Sequence, residues 1–155
     1  MGRVNYGKFL NGERKGLLGD VLIDGKKQIN WEMYPMEFKQ PFIQAASASS
    51  KWQDYASDVK RPALYKATID ITENPPKDTF IDMKQWEKGV IFINGFNLGR
   101  YWKKGPQVTY YLPGPLLKTG KNEIIIFELH QSSSEIVFSD KHNLGPVQHV
   151  TDDDE

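Results

Sequence analysis

Apolar positions along this chain recur mostly with a period of two, and Gly and Pro break them at short intervals, a pattern of strands joined by turns. From Leu64 to Ile71, Tyr65, Ala67, Ile69 and Ile71 fall on one side and Lys66, Thr68 and Asp70 on the other, with Leu64 alone out of step. That alternation predicts a half-buried strand, stopped at Pro75-Pro76 because neither proline can donate to a ladder. Thr79 to Met83 reads as another short strand. Val90 to Ile93 is apolar throughout and runs into Asn94-Gly95, a pair suited to the positive φ angles of a two-residue hairpin turn. Val108 to Leu112 is a β-branched and aromatic run closed by Pro113-Gly114-Pro115. Glu123 to Leu129 holds Ile124, Ile125, Ile126 and Phe127 in succession, which predicts a strand buried on both faces. Glu135 to Phe138 adds one more. Short strands at this spacing predict an all-β sandwich or jelly roll, best formed between Leu64 and Phe138. Its expected core is Tyr65, Ile69, Phe80, Ile91, Ile93, Tyr110, Ile125 and Phe127, with the choice between Ile124 and Ile125 as the inward residue open.

Helix signals are few. Pro115 to Lys118 predicts a single turn ended by Gly120. Gln44 to Asp58, rich in Ala, Ser and Asp, predicts a loop with a short helix. Near the start, Asn11-Gly12 and Asp24-Gly25 flank a strand expected from Leu17 to Ile23, and Trp31, Met33, Tyr34 and Met36 then lead into Pro41. A few short strands do not make a stable unit alone. Residues 1–43 are therefore expected to be left over from an adjoining β-domain, residues 44–140 to form the sandwich, and residues 141–155 to be a tail, disordered at Thr151 to Glu155.

Composition narrows the function classes. Twenty Lys and Arg balance twenty Asp and Glu, so the charge footprint of a nucleic-acid binder or a polybasic membrane anchor is missing. The longest apolar runs are a handful of residues, against roughly 20 for a membrane-spanning helix. Met1 is followed at once by Gly2, Arg3 and Val4, without the apolar stretch of a signal peptide. A soluble chain is expected, with neither nucleic acid nor membrane as partner. The absence of cysteine excludes disulfides and zinc–thiolate sites, and leaves the compartment open.

Catalytic motifs are equally scarce. Hydrolysis of a glycosidic bond ordinarily needs two carboxylates across the scissile bond. Glu37, Asp54, Asp58, Asp82, Glu87 and Glu128 are available, yet no local motif pairs two of them, and most are expected to be solvated. His130, His142 and His149 share no ligand spacing, so no metal is expected. Gly114 to Lys121 has the wrong spacing for a phosphate loop and Asn122 where Ser or Thr should sit. No G-x-S-x-G elbow is present. No cofactor is called for, and the chain alone is expected to be inactive.

The most informative stretch is Lys88-Gly89-Val90-Ile91-Phe92-Ile93-Asn94-Gly95-Phe96-Asn97-Leu98-Gly99-Arg100-Tyr101-Trp102. A hairpin accounts for Asn94-Gly95, but not for the amide, guanidinium and aromatic rings of Asn97, Arg100, Tyr101 and Trp102 directly behind it. Such groups can read sugar hydroxyls and pyranose faces. With Trp86 they are the natural contacts of a carbohydrate-binding module; core packing of the aromatics, with Arg100 paired to a carboxylate, is the structural alternative.

This stretch, continued by Gly105-Pro106-Gln107, Tyr111-Leu112-Pro113, Leu116-Leu117-Lys118 and Asn122 to Leu129, resembles the C-terminal jelly roll of family 35 β-galactosidases. Met1-Gly2-Arg3-Val4-Asn5-Tyr6-Gly7, Lys15-Gly16-Leu17, Trp31, Tyr34-Pro35, Leu64-Tyr65-Lys66-Ala67 and Pro76-Lys77-Asp78-Thr79-Phe80 resemble the same enzymes in the same order, so the likeness spans roughly residues 1–130. It implies a galactose-binding-domain-like jelly-roll β-sandwich from a longer enzyme. In that enzyme a separate N-terminal TIM barrel carries the catalytic glutamates and hydrolyses terminal β-galactosyl residues by a retaining mechanism. The implied role is support of that barrel, with galactosides as candidate ligands. The resemblance also implies that Tyr6 lines the substrate pocket of the parent enzyme. A free-standing carbohydrate-binding module and a purely structural scaffold are the alternatives. No Asn-x-Ser/Thr sequon occurs, which leans towards a non-glycosylated setting.

Overall fold

The computed structural model describes residues 16–57, 59 and 61–146. Tyr6, Asp58, His149 and the acidic end lie outside the described residues. In chain order the elements are β1 (Leu22–Ile23), β2 (Lys26–Lys27), α1 (Gln40–Ser47), β3 (Ala63–Ile71), β4 (Thr79–Asp82), β5 (Lys88–Ile93), β6 (Phe96–Trp102), β7 (Thr109–Leu112), β8 (Gly120–Glu128) and β9 (Val137–Ser139). They fall into two compact units, Met1–Pro35 and Met36–Glu155.

In the first unit, Asp24 (φ 50°) and Gly25 (φ 73°) turn β1 back onto β2, as the dipeptide predicts. The strand expected over Leu17 to Ile23 shrinks to Leu22–Ile23. Gly19, at φ 87°, leaves the extended region, and the partner strand offers only two residues. Leu17, Leu18, Leu22, Ile23, Ile29, Trp31, Met33 and Tyr34 are all exposed. The bonds that hold this segment are local: Trp31 Nε1 donates to Gln28 O at 3.1 Å, and Lys27 pairs with Asp20 at 2.8 Å.

The second unit is a β-sandwich. One sheet has the order β3-β8-β5-β6, all neighbours antiparallel; the other is β7-β4-β9, also antiparallel. Between them lies a core of Ile81, Met83, Trp86, Ile91, Ile93, Tyr101, Leu112, Leu117, Ile124 and Ile126. Tyr65, Ile69, Ile71, Tyr110 and Phe138 pack against it at the margins.

The outer face of the four-stranded sheet carries a second buried cluster. Phe92 and Ile125, facing away from the sandwich core, pack with Ile43 of α1, and Phe38, Phe42, Leu64 and Val90 surround them. The continuous apolar run in β8 thus divides: Ile124 and Ile126 point into the core, while Ile125 and Phe127 point to the helix side. Both of the latter are buried as expected, but in a layer the linear pattern does not separate from the core. Leu64 has the same explanation, because it sits opposite Phe127 in the β3–β8 register and faces the cluster outside the sandwich. Phe80 departs from its expected core position. It is half-buried against the rings of Tyr111 and His142 (5.6 and 6.2 Å between centroids), because its neighbour Ile81 takes the inward place in β4.

Helix α1 begins earlier than the predicted loop-and-helix stretch, with Pro41 in its first turn, where the missing N–H costs nothing. Ile43 is its one buried residue. Phe38, just before it, holds a positive φ of 50° while its ring contacts Phe42, Phe92 and Phe127. The single turn expected at Pro115 to Lys118 is a 3₁₀ turn over Gly114–Leu116, and Gly120 (φ 89°) opens β8 instead of closing that turn. A side chain at Gly114 would run into the carbonyl of Pro76, so only glycine fits there.

Candidate functional site

Asn94 (φ 49°) and Gly95 (φ 82°) form the turn between β5 and β6, with Ile93 opposite Phe96. The Asn94 side chain fixes this corner. Its Nδ2 donates to Leu116 O and Asn122 Oδ1, both at 2.9 Å, and its Oδ1 accepts from Glu123 N at 3.0 Å. A bulge follows: Phe92 faces Asn97 but Ile91 faces Gly99, which leaves Leu98 without a partner. Because paired residues share a face, Asn97 (opposite Phe92), Arg100 (opposite Val90) and Trp102 (opposite Lys88) all stand on the outer side of β6, an edge strand. Asn97 and Arg100 are exposed and Trp102 is half-buried.

Among the described residues Arg100 makes no ion pair. Trp102 is covered by cations: Lys88 Nζ lies 4.4 Å and Lys104 Nζ 5.2 Å from its ring centroid. The indole also borders a cavity of about 230 Å³ with Met83, Lys84, Lys103, Gln107, Val108 and Tyr110. A larger cavity of about 370 Å³ sits apart from it, floored by Ile69, Ile71, Leu117 and Phe138 and rimmed by Asp70, Glu73, Lys77 and Asp78.

Two of the candidate sugar contacts, Tyr101 and Trp86, are buried instead. Tyr101 alternates with Arg100 and Trp102 and therefore points into the core. Trp86 is 2% exposed, donates from Nε1 to Glu135 O at 3.2 Å and packs edge-on against Tyr65.

Glu128 is an exception to the expectation that most of the free carboxylates are solvated. It is 1% exposed and accepts from the backbone N–H groups of Glu87 (2.9 Å), Lys88 (3.1 Å) and His130 (2.8 Å) and from the Tyr101 hydroxyl (2.8 Å). Burial, and then the adjoining Glu128 charge, push the Tyr101 phenol far above its usual range, so it stays a donor. A carboxylate bound by three backbone donors and a phenol ties the start of β5 and the end of β6 to the end of β8. Nothing in the sequence marks it: the apolar run ends at Phe127, and only the structure shows burial continuing one residue further.

Two further polar locks escaped sequence reasoning because their partners are far apart in the chain. Asp78 accepts from Tyr111 Oη at 2.6 Å and Gly114 N at 2.7 Å, and these bonds lower its pKa. Glu123 accepts from Ser47 Oγ at 2.6 Å and pairs with Lys66 at 2.9 Å, fastening α1 to the sheet. Burial alone would raise the Glu123 pKa, but the bonds from Ser47 and Lys66 outweigh it and the net shift is downward.

Of the other carboxylates, Glu37 pairs loosely with Lys39 (3.4 Å), and Asp82 accepts from the backbone N–H of Lys84 at 2.8 Å. Among the described residues no three His, Asp or Glu side chains converge as a metal site would need, and no helix is long and apolar enough to cross a membrane.

Comparison with known proteins bears on this arrangement directly. Residues 62–122, which run from the start of β3 into β8, match the model of the β-galactosidase galactose-binding domain, and residues 1–37 match that of the β-galactosidase first all-β domain. The chain belongs to the family 35 β-galactosidases. Human β-galactosidase-1-like protein 2 is 40% identical over 96% of this chain, and β-galactosidase 17 of Arabidopsis thaliana is 40% identical over 88% of it. β-Galactosidase 1 of Dictyostelium discoideum is 39% identical over 88%. In each case the match occupies only 21–23% of the relative, so the chain spans about a fifth of the length of these β-galactosidases.

Proposed function

We propose that this chain is a non-catalytic β-domain region of a β-galactosidase whose separate TIM barrel hydrolyses terminal β-galactosyl residues. Its role is to support that barrel. The expected boundary at residues 43 and 44 is better placed between Pro35 and Met36, because Phe38, Phe42 and Ile43 pack on the sheet of the sandwich. The tail expected from residue 141 starts later, because Asn143 O accepts from the backbone N–H groups of Val108 and Thr109. The observation that carries the reading is Glu128. This buried carboxylate is consumed by backbone donors and a phenol, which leaves it no free lone pair for general-base or nucleophilic work. The test is the hydrolysis of a chromogenic β-galactoside. The 155-residue chain should show no turnover; turnover abolished by changing one of its own carboxylates would overturn the reading.

Tyr6 is proposed as a substrate-pocket residue of the parent enzyme, on the strength of the Asn5-Tyr6-Gly7 motif. In the full-length protein, Tyr6→Ala should then cost roughly 1–3 kcal/mol of transition-state stabilisation, about a 5- to 150-fold loss in kcat/KM. Unchanged kinetics in a folded variant would retire it.

A second reading, as a carbohydrate-binding module, is favoured by one observation: Asn97, Arg100 and Trp102 share the outer face of a single edge strand. Millimolar galactose affinity, about −4 kcal/mol, is its expected signature. A titration with galactose and lactose separates it from a pure scaffold.

A further inference from the structure

We infer that the corner around Trp102 binds an acidic saccharide, a galactose-type sugar bearing a carboxylate, in preference to a neutral one. The inference rests on reading the chain as part of a β-galactosidase; what it adds is the position of the site and the charge of its ligand.

The starting point is what covers the indole. Lys88 and Lys104 hold their ammonium groups 4.4 and 5.2 Å from the ring centroid, where the ring's negative quadrupole attracts them. Lys84 and Lys103 line the cavity that the same ring borders. Among the described residues none of these four ammonium groups lies within ion-pair distance of a carboxylate. The chain as a whole is balanced at twenty cations to twenty anions, so two unpaired cations on the indole and two more lining the cavity it borders form a local excess.

That excess decides between ligands. A neutral pyranose stacking on Trp102 would have to displace ammonium groups already drawn to the ring, and would leave their mutual repulsion in place. A carboxylate placed among them removes that repulsion and accepts from several donors at once. Its sugar ring can then occupy the cavity. The wall there is pinned: the Trp102 backbone N–H donates to Tyr110 Oη at 3.3 Å, and Gln107 Nε2 donates to Thr109 O at 2.9 Å. The cavity rimmed by Asp70, Glu73 and Asp78, with Lys77 as its only lining cation among the described residues, has the opposite balance and serves as an internal control.

The experiment is an NMR titration of the 155-residue chain with galacturonic acid, galactose and sodium sulfate at matched ionic strength. Galacturonate should shift the Trp102 indole N–H and the Lys103 and Lys104 amides, with galactose at least about tenfold weaker, and raising salt from about 50 to 500 mM should weaken galacturonate several-fold. The variant Lys88→Gln/Lys104→Gln should lose about tenfold in affinity while retaining the native amide spectrum, and Lys88→Arg/Lys104→Arg should keep it. Lys77→Gln should change nothing. Four results would each overturn the inference: galactose binding as tightly as galacturonate, sulfate binding as tightly as the sugar acid, affinity indifferent to salt, or shifts confined to the other cavity. A failure here leaves hydrolysis of neutral galactosides by the full-length protein untouched. Failure of the parent reading would instead appear as a full-length protein without β-galactosidase activity, whatever this corner binds.

Discussion

The two faces of the β3-β8-β5-β6 sheet are built from alternate residues of the same strands, and they end in different states. The inner face meets a second sheet, and Ile91, Ile93, Ile124 and Ile126 are fully buried there. Among the described residues, the outer face is covered where α1 and Phe38 reach, over Phe92, Ile125 and Phe127. Past that cover, at β6, the same face turns polar and presents Asn97, Arg100 and Trp102. Burial on the inner side is a property of the sandwich. On the outer side it depends on one eight-residue helix and the loop before it, and the surface available for binding begins where they stop.

Gly89→Ala probes the inner face most severely. A Cβ there would run into the Phe127 carbonyl and the Tyr101 hydroxyl, beside the buried Glu128. The expected loss exceeds about 4 kcal/mol in urea unfolding; a loss below about 1 kcal/mol would mean the strands are less closely packed than described. Phe127→Ala tests whether the outer cluster is a true core layer. It should cost about 3–5 kcal/mol, as a large buried ring does. A cost near that of a surface substitution would reduce α1 to a loosely attached segment.

Acid should separate the faces further. The folded-state pKa of Glu123 lies below the ordinary value of 4.5, so its contribution is fully present above that value and is lost as pH falls through the lower, folded one. Amide exchange in α1 should therefore accelerate below about pH 4 before exchange in the inner strands does. In Glu123→Gln the helix should show no such acid step. The smallest effects belong to the open part of the outer face: Asn97→Ala and Arg100→Ala should each change stability by no more than about 0.5 kcal/mol. A larger loss at Arg100 would point to a structural partner and away from a binding role.

Much of this was legible residue by residue. Alternation in Leu64 to Ile71 gave β3, Asn94-Gly95 gave the β5–β6 turn, and the unbroken run in β8 predicted burial on both faces. The outer positions of Arg100 and Trp102 were not legible, because the bulge at Leu98 shifts the alternation by one residue and sends Tyr101 inward. Trp86 and Tyr101 look like surface aromatics in a polar stretch, and only the second sheet, brought over them by Thr79–Asp82 and Thr109–Leu112, makes them core.

The sequence by itself determined the elements of this protein and its membership in the β-galactosidases. Turn chemistry, period-two alternation and ordered motifs are local properties that survive without the fold. The tertiary structure alone decided which face of each strand is core, that Glu128 is a buried clamp, and that two lysines lie over one indole while two more line the cavity beside it. These depend on residues tens of positions apart meeting in space, and a strand's pattern fixes that its two faces differ without saying what will cover each.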